Sequence, residues 1–589
     1  ACHSHFIHGA VVMLTRREFL KYSVVALPGL QLTACGGDGS TPQTVAWPIT
    51  RDVFTTAEQQ IHPQGLPADT PLIDPPDLPY SQYGYSAWQA GPGLAHVKRM
   101  DLAPGYSGAP KVARLLSFFA ITDIHIADKE SPAQPIYIGW SARYGAPGSC
   151  GSAYSPVILS TTQVLDAAIQ TVNALHKKSP IDFGISLGDD TNNSQYNELR
   201  WFIDVLDGKR IAPSSGAHIG ADHIDYQKPF QAAGLDPAIP WYQVVGNHDQ
   251  FWMGSAYENA KTWSAHVGSA ILNMSNSPDP SSGGVNGSGY YMGVVDGANP
   301  YGFVIGSGPQ GAFSTPPTVV ADPARRSLAT STSSTLNWMR EFFETTSNPP
   351  GHGFKQSNLD ADFACYSFEP KANMPIKVIA LDNTMKGADQ TEYARACLDQ
   401  TRLDWLKAEL QDGQDRDKLM IIAAHIPLYP QKTFDPAAGN YKLFTSPSVV
   451  TDLQLLAILH TYPNLILWIS GHRHVNVVTP QQYNGADPAD QPEKNFWEVE
   501  TASLRDFPQQ FRTFEIHRNA DNTVSIMVTN VDPAVSPGSP AAKSRAYAVG
   551  AARIFAANDS VRADTGSQAY NAELVQQLTP RMQAIIAGL

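Results

Sequence analysis

With 589 residues, 42% hydrophobic and 16% charged, the chain can bury a large core and is globular in balance, which excludes a disordered protein. Its formal net charge of −13 excludes a general nucleic-acid binder, because no basic surface offsets phosphate repulsion. Small anions stay admissible as substrates where metal ions supply local positive charge.

The N-terminal segment reads as an address. Thr15-Arg16-Arg17-Glu18-Phe19-Leu20-Lys21 precedes a modest apolar stretch, Tyr22 to Leu32, and then Leu32-Thr33-Ala34-Cys35. The arginine pair is a twin-arginine export signal, and the whole resembles the signal of a bacterial lipoprotein. The pattern places the natural start at Met13 and the acylated residue at Cys35, which gives an envelope or periplasmic protein held by one lipid anchor. Release without lipidation is the rival. No apolar run is long enough to span a bilayer. Cys150, Cys365 and Cys397 remain after processing, enough for one disulfide whose pair the sequence does not fix.

Residues 36–112 are rich in Pro, Gly, Asp and Thr and predict a tether followed by loops. From there the elements alternate. Val112 to Ile121 predicts a buried strand, Val157 to His176 a helix, Ile181 to Leu187 a strand, Asn197 to Leu206 a helix and Ile239 to Val245 a strand. Strand and helix in turn argue for an α/β core. Residues 254–360 read as an insertion that shapes access or merely decorates the surface, with Ser334 to Thr346 helical. The core resumes with strands at Asp362 to Phe368 and Ile376 to Leu381, then a helix at Thr401 to Leu410 and a strand at Lys418 to Ala424. Val449 to His460 predicts a helix and Leu465 to Ser470 a strand. Phe496 to Thr501, Phe511 to Ile516 and Val524 to Thr529 predict three successive strands in an antiparallel finish. Residues 531–589 read as a linker and a C-terminal helical tail, interrupted at Pro580.

Five polar fragments punctuate this order, each just after an apolar run. They are Asp123-Ile124-His125, Gly188-Asp189, Gly246-Asn247-His248-Asp249, His425 and Gly471-His472-Arg473-His474. Strand tips are where α/β folds place their ligands. Carboxylate, imidazole and amide oxygen together suit borderline first-row divalent metals, not calcium or a thiolate zinc site. Asp123, His125, Asp189, Asn247, His425, His472 and His474 give seven ligands. Seven exceed one tetrahedral ion and suit two ions if a carboxylate bridges. His176, His460 and His517 have no such company and read as structural or surface residues.

The order DxH, GD, GNHD, H, GHxH resembles the calcineurin-like metallophosphoesterases over the core from about 113 to 530. The resemblance implies an α/β fold built as a four-layer α/β/β/α sandwich with two mixed sheets. It implies one divalent metal (Mn, Fe or Zn) on Asp123, His125, Asp189 and His474, and a second on Asp189, Asn247, His425 and His472. A hydroxide bridging them would attack a phosphate ester. His248 would be the general acid, with Asp249 or Asn192 orienting it, and Arg473 and Arg505 are candidate phosphate contacts. Gly188-Asp189-Asp190-Thr191-Asn192 lacks the Tyr of purple acid phosphatases and the Asp-Arg of protein phosphatases, and is more similar to the phosphodiesterase-like branch. A phosphodiester or nucleotide-like substrate is therefore preferred. A nonspecific periplasmic phosphomonoesterase is the second reading, and a non-catalytic binding protein on the same fold the third.

Overall fold

The computed structural model describes residues 44–70, 82–134, 156–254, 257–271, 319–329, 335–384, 397–428, 448–483, 491–555 and 570–589, with short strand pieces between 273 and 309 and between 433 and 442. The export-signal segment 1–35 and Cys150 lie outside the described residues. No helix among the described residues is long and apolar enough to cross a membrane.

In chain order the elements are β1 (Gln59–Pro63), β2 (Trp88–Pro92), β3 (Val97–Leu102), β4 (Lys111–Ile121), α1 (Thr161–Lys178), β5 (Phe183–Ser186), α2 (Tyr196–Leu206), β6 (Trp241–Gln243), β7 (Tyr366–Phe368) and β8 (Ile376–Leu381). They continue with α3 (Gln400–Asp415), β9 (Leu419–Ala424), α4 (Asp452–Leu459), β10 (Leu465–Ser470), β11 (Val477–Gln481), β12 (Phe496–Glu500), β13 (Phe511–Asn519), β14 (Val524–Val531), α5 (Pro540–Phe555), β15 (Ala572–Gln576) and α6 (Pro580–Ile586). The insertion contributes short helices at Ala260–Val267, Leu336–Glu341 and Gln356–Ala361.

Two mixed sheets carry the fold. The first has seven strands in the order β3-β15-β14-β13-β4-β5-β6, and the second has six in the order β7-β8-β9-β10-β12-β11. In the first, β4, β5 and β6 run parallel to one another, and so do β8, β9, β10 and β12 in the second. Strand alternation sets the layers. On β8 and β9, Ile376, Val378, Ala380, Leu419, Ile421 and Ala423 join the core shared with the first sheet. Their neighbours Ile379, Leu381, Met420, Ile422 and Ala424 face Leu403, Leu406 and Leu410 of α3 and Leu455 and Leu459 of α4. Val164, Leu165, Ala168 and Val172 of α1 join the first sheet's core. The result is helices, sheet, sheet, helices: a four-layer α/β/β/α sandwich. Strands covered on both faces need continuous apolar runs, which β4 has from Leu115 to Ile121, broken only by Ser117. Phe118 stacks on Phe183 of β5 at 4.8 Å and on Phe514 of β13 at 4.6 Å, tying three strands together.

Three expectations need correction. Residues 36–112 are not all tether and loop, since β1 pairs with β2 and β3 forms the edge of the seven-stranded sheet. An edge strand half open to solvent carries no apolar run to announce it; only Leu102 of β3 is buried. The C-terminal tail is not helical throughout: β15 lies between β3 and β14 with all five residues buried. The closing strands do not form one antiparallel set. β13 and β14 do pair that way, but β12 belongs to the other sheet, parallel to β10. Cys365 and Cys397 are buried free thiols.

Leu574, fully buried on β15, should be among the residues that hold the last 20 positions to the body. Leu574→Ala is expected to cost about 2–5 kcal/mol, measured as a lower urea midpoint with unchanged slope. An unchanged midpoint contradicts the placement of β15.

Candidate metal centre

Every fragment singled out in the sequence sits just past the carboxyl end of a parallel strand. Asp123 follows β4, Asp189 follows β5, Asn247 follows β6, His425 follows β9 and His472 follows β10. The first three come from one sheet and the last two from the other. Five of the seven candidate ligand residues are left-handed although none is glycine: φ is 51° at Asp123, 47° at His125, 55° at Asp189, 71° at His472 and 58° at His474. Such conformations cost on the order of 1–3 kcal/mol each and persist where the surroundings over-determine them. The surroundings here are tight. A Cβ on Gly246 would strike the backbone and carboxylate of Asp189, and one on Gly471 would strike Thr122 Oγ1 and the Asp123 carboxylate. These glycines let the loops of neighbouring strands touch.

The side chains gather into overlapping groups, Asp123-His125-His474 and Asp189-His425-His472, with His125-Asp189-His248 between them. In the first, His474 Nε2 is 3.1 Å from Asp123 Oδ1 and 3.2 Å from His125 Nε2. In the second, Asn247 Oδ1 is 2.9 Å from His425 Nε2 and 3.0 Å from His472 Nδ1. Asp189 belongs to the second group and to the one between. Its Oδ2 lies 3.8 Å from His125 Nε2 and 3.3 Å from His425 Nε2, while its Oδ1 accepts from the His248 backbone N–H at 2.7 Å.

Outer contacts fix which atoms face inward. His425 Nδ1 donates to the Leu187 carbonyl at 2.9 Å and His474 Nδ1 to Asp506 Oδ2 at 2.6 Å, which turns both Nε2 lone pairs toward carboxylate oxygens. Asn247 Nδ2 donates to the Gly254 carbonyl at 3.0 Å, turning Oδ1 inward. Asp123 Oδ1 is buried with no hydrogen-bond partner among the described residues. Lone pair thus faces lone pair, an arrangement stable only around a proton or a cation. Burial opposes charge on His425 and His474, yet Asp189 beside the first and Asp123 beside the second push both up to about 9. Oxygen and imidazole donors of this kind fit divalent metals.

His248 stands beside the first group. Its ring packs edge-on against His125 at 4.4 Å, and its Nδ1 donates to the Asn192 carbonyl at 2.7 Å. With Nδ1 committed, Nε2 is the atom that can hold a transferable proton. Burial, with the charges of His125 and Arg505, pushes this imidazole down to about 3, against the pull of Asp189.

Other candidates do different work. Asp249 does not touch the His248 ring; its buried carboxylate accepts from the backbone N–H groups of Asp189, Thr191 and Gly246, pinning two ligand loops together. Arg473 turns away to pair with Glu500. Arg505 is no surface residue: it is buried and donates to Asn192 Oδ1 at 2.7 Å. His176 accepts from the Ile181 N–H, His460 contacts the Lys494 carbonyl and His517 pairs with Glu515, all away from the centre. Asp506 was missed, because a carboxylate 32 residues beyond His474 carries no local pattern.

No protein-family model matches the chain, and no curated protein matches it in sequence. Several solved structures align with it. A dimetal phosphatase from Danio rerio shares 11% identity over 72% of this chain and 100% of its own, at a TM-score of 0.32. The sulfate thiohydrolase SoxB from Thermus thermophilus, in complex with glycerol, shares 11% over 76% of this chain and 62% of its own, at 0.28. GAP50, the anchor in the inner membrane complex of Plasmodium, shares 10% over 74% and 95%, at 0.26. The chemistry below comes from the side chains.

Protons on His425 and His474 must leave before a metal binds, so affinity should rise from pH 6 toward pH 9 and flatten above it. Calorimetry with Mn²⁺ in buffers of different ionisation enthalpy should count the released protons. Affinity independent of pH contradicts the ligand assignment.

Proposed function

We propose that this protein is a dinuclear metal-dependent hydrolase of phosphate esters, of the calcineurin-like metallophosphoesterase kind. The observation that carries this reading is Asp189, whose Oδ2 lies between two converging groups, each drawing residues from both sheets. Asp123, His125, Asp189 and His474 would hold one divalent ion, and Asp189, Asn247, His425 and His472 the other. Such a pair, when bound, neutralises phosphoryl charge and brings the pKa of water to about 7.

The protein's own groups supply the rest. Asp189 Oδ1, through the His248 N–H, fixes the backbone that carries His248 relative to both ligand groups. His248 Nε2 would give a proton to the departing alkoxide, a role worth about 10² to 10⁴ in rate. An incoming phosphate anion beside the buried ring favours its protonated form, against the burial that opposes it. A Ser or Cys nucleophile is not required.

We take the substrate to be a phosphodiester or nucleotide-like ester, on the Asp190-Thr191-Asn192 pattern that follows Asp189. Export by the twin-arginine route, with anchoring through Cys35, belongs to the same proposal. That route moves folded proteins, which would let the metals be loaded before export.

Hydrolysis of bis- and mono-nitrophenyl phosphate by Mn²⁺-loaded protein tests the substrate class. Faster turnover of the diester supports the reading, and faster turnover of the monoester favours a phosphate-scavenging phosphomonoesterase. Two bound metals with neither ester cleaved points to a binding protein. His248→Ala should keep both metals and lose about 10²-fold or more in kcat on an alkyl ester.

A further inference from the structure

The loop after β12 belongs to none of the five sequence fragments, yet it wraps the first ligand group. Ser503 Oγ donates to the Asp123 carbonyl at 2.8 Å, and the Leu504 N–H reaches the Thr122 carbonyl at 3.1 Å. Asp506 accepts from His474 Nδ1. Between these contacts Arg505 extends inward, 3% exposed, and its guanidinium donates to Asn192 Oδ1 at 2.7 Å. Asn192, 1% exposed, in turn accepts from His248 Nδ1 through its own carbonyl at 2.7 Å. Among the described residues this is the hydrogen bond that sets the plane of the His248 ring.

A guanidinium is a poor filler for this place. Its burial costs several kcal/mol of desolvation, and an apolar side chain of like volume is often neutral or better. Its charge reaches both His248 and His125, so it also opposes a cation in the first ligand group. What it supplies is a charged N–H donated to the side-chain oxygen of Asn192, the residue whose carbonyl holds the His248 ring.

We propose that Arg505 is a positioning residue for His248, acting through Asn192 to aim Nε2 at the leaving-group oxygen. This rests on the hydrolase reading above. The Arg505 backbone N–H donates to the Asp123 carbonyl at 3.3 Å, while its guanidinium donates to Asn192, so the side chain's path to the proton donor runs through that amide. A positioned donor matters most when the leaving group is a strong base and least when it is a stable phenolate.

The experiment compares wild type, Arg505→Ala and Asn192→Ala, the last of which keeps the carbonyl but loses the grip of Arg505. Each is assayed with bis-nitrophenyl phosphate, followed by nitrophenolate release, and with a dialkyl phosphate diester, followed by alcohol release, alongside metal content per chain. The expected result is metal content equal to wild type and KM within about threefold. kcat for alcohol release falls roughly 10-fold to 100-fold, against less than about fivefold for nitrophenolate release. In a His248→Ala background, Arg505→Ala should cost almost nothing more, because the two act as a unit. Equal losses on both leaving groups, loss of a metal, additive losses in the double variant, or failure of both variants to fold would each overturn the positioning role. If wild type with two metals cleaves neither ester, the hydrolase reading falls and takes this proposal with it. If wild type cleaves both, the losses judge Arg505 alone.

Discussion

Two buried carboxylates, Asp123 and Asp189, set the problem that the rest of the structure answers. Each is almost fully removed from solvent, and burial alone would drive both toward the neutral acid. Instead, imidazoles from the opposite sheet crowd their oxygens and hold them ionised: His474 at Asp123, and His425 at Asp189. The negative charge is thereby concentrated at the seam between two sheets. Divalent metal ions would relieve that charge without protons.

Bringing these groups together dictates the architecture. Parallel strands deliver their loops to the same end of a sheet, so β4, β5 and β6 present Asp123, Asp189 and Asn247 side by side, and β9 and β10 do the same for His425 and His472. Sheet-on-sheet packing through Ile421, Ala423, Leu467 and Ile469 sets the two rows face to face. Left-handed backbone at five ligands is the local cost of aiming side chains back over the strand ends. Asp249, Ser503 and the glycines at 246 and 471 hold those turns from outside.

Much of this was legible in the sequence because it is written in local patterns. Continuous apolar runs such as Ile376 to Leu381 and Leu465 to Ser470 gave strands with the observed bounds, since doubly covered strands bury both faces. The polar fragments after those runs marked the strand ends, and their order suggested the ligand groups that the structure brings together. What failed was non-local. β3 owes its place to β15, more than 400 residues further along the chain, and offers no apolar run. The short apolar pair Leu574-Val575 lies in a polar stretch that reads equally well as a helix. Asp249 sits in the most conspicuous fragment, yet spends its carboxylate on backbone N–H groups. Asp506 and Arg505 act across 32 and 313 residues, on His474 and Asn192, and no spacing rule reaches that far.

The most direct test of the account is anomalous diffraction from crystals of the Mn²⁺-loaded protein. The account predicts two anomalous peaks per chain, on either side of Asp189 and about 3.5–4 Å apart, one within the Asp123, His125 and His474 group and one within the Asn247, His425 and His472 group. A single peak, or two that do not share Asp189, would contradict the bridging carboxylate on which the whole reading depends.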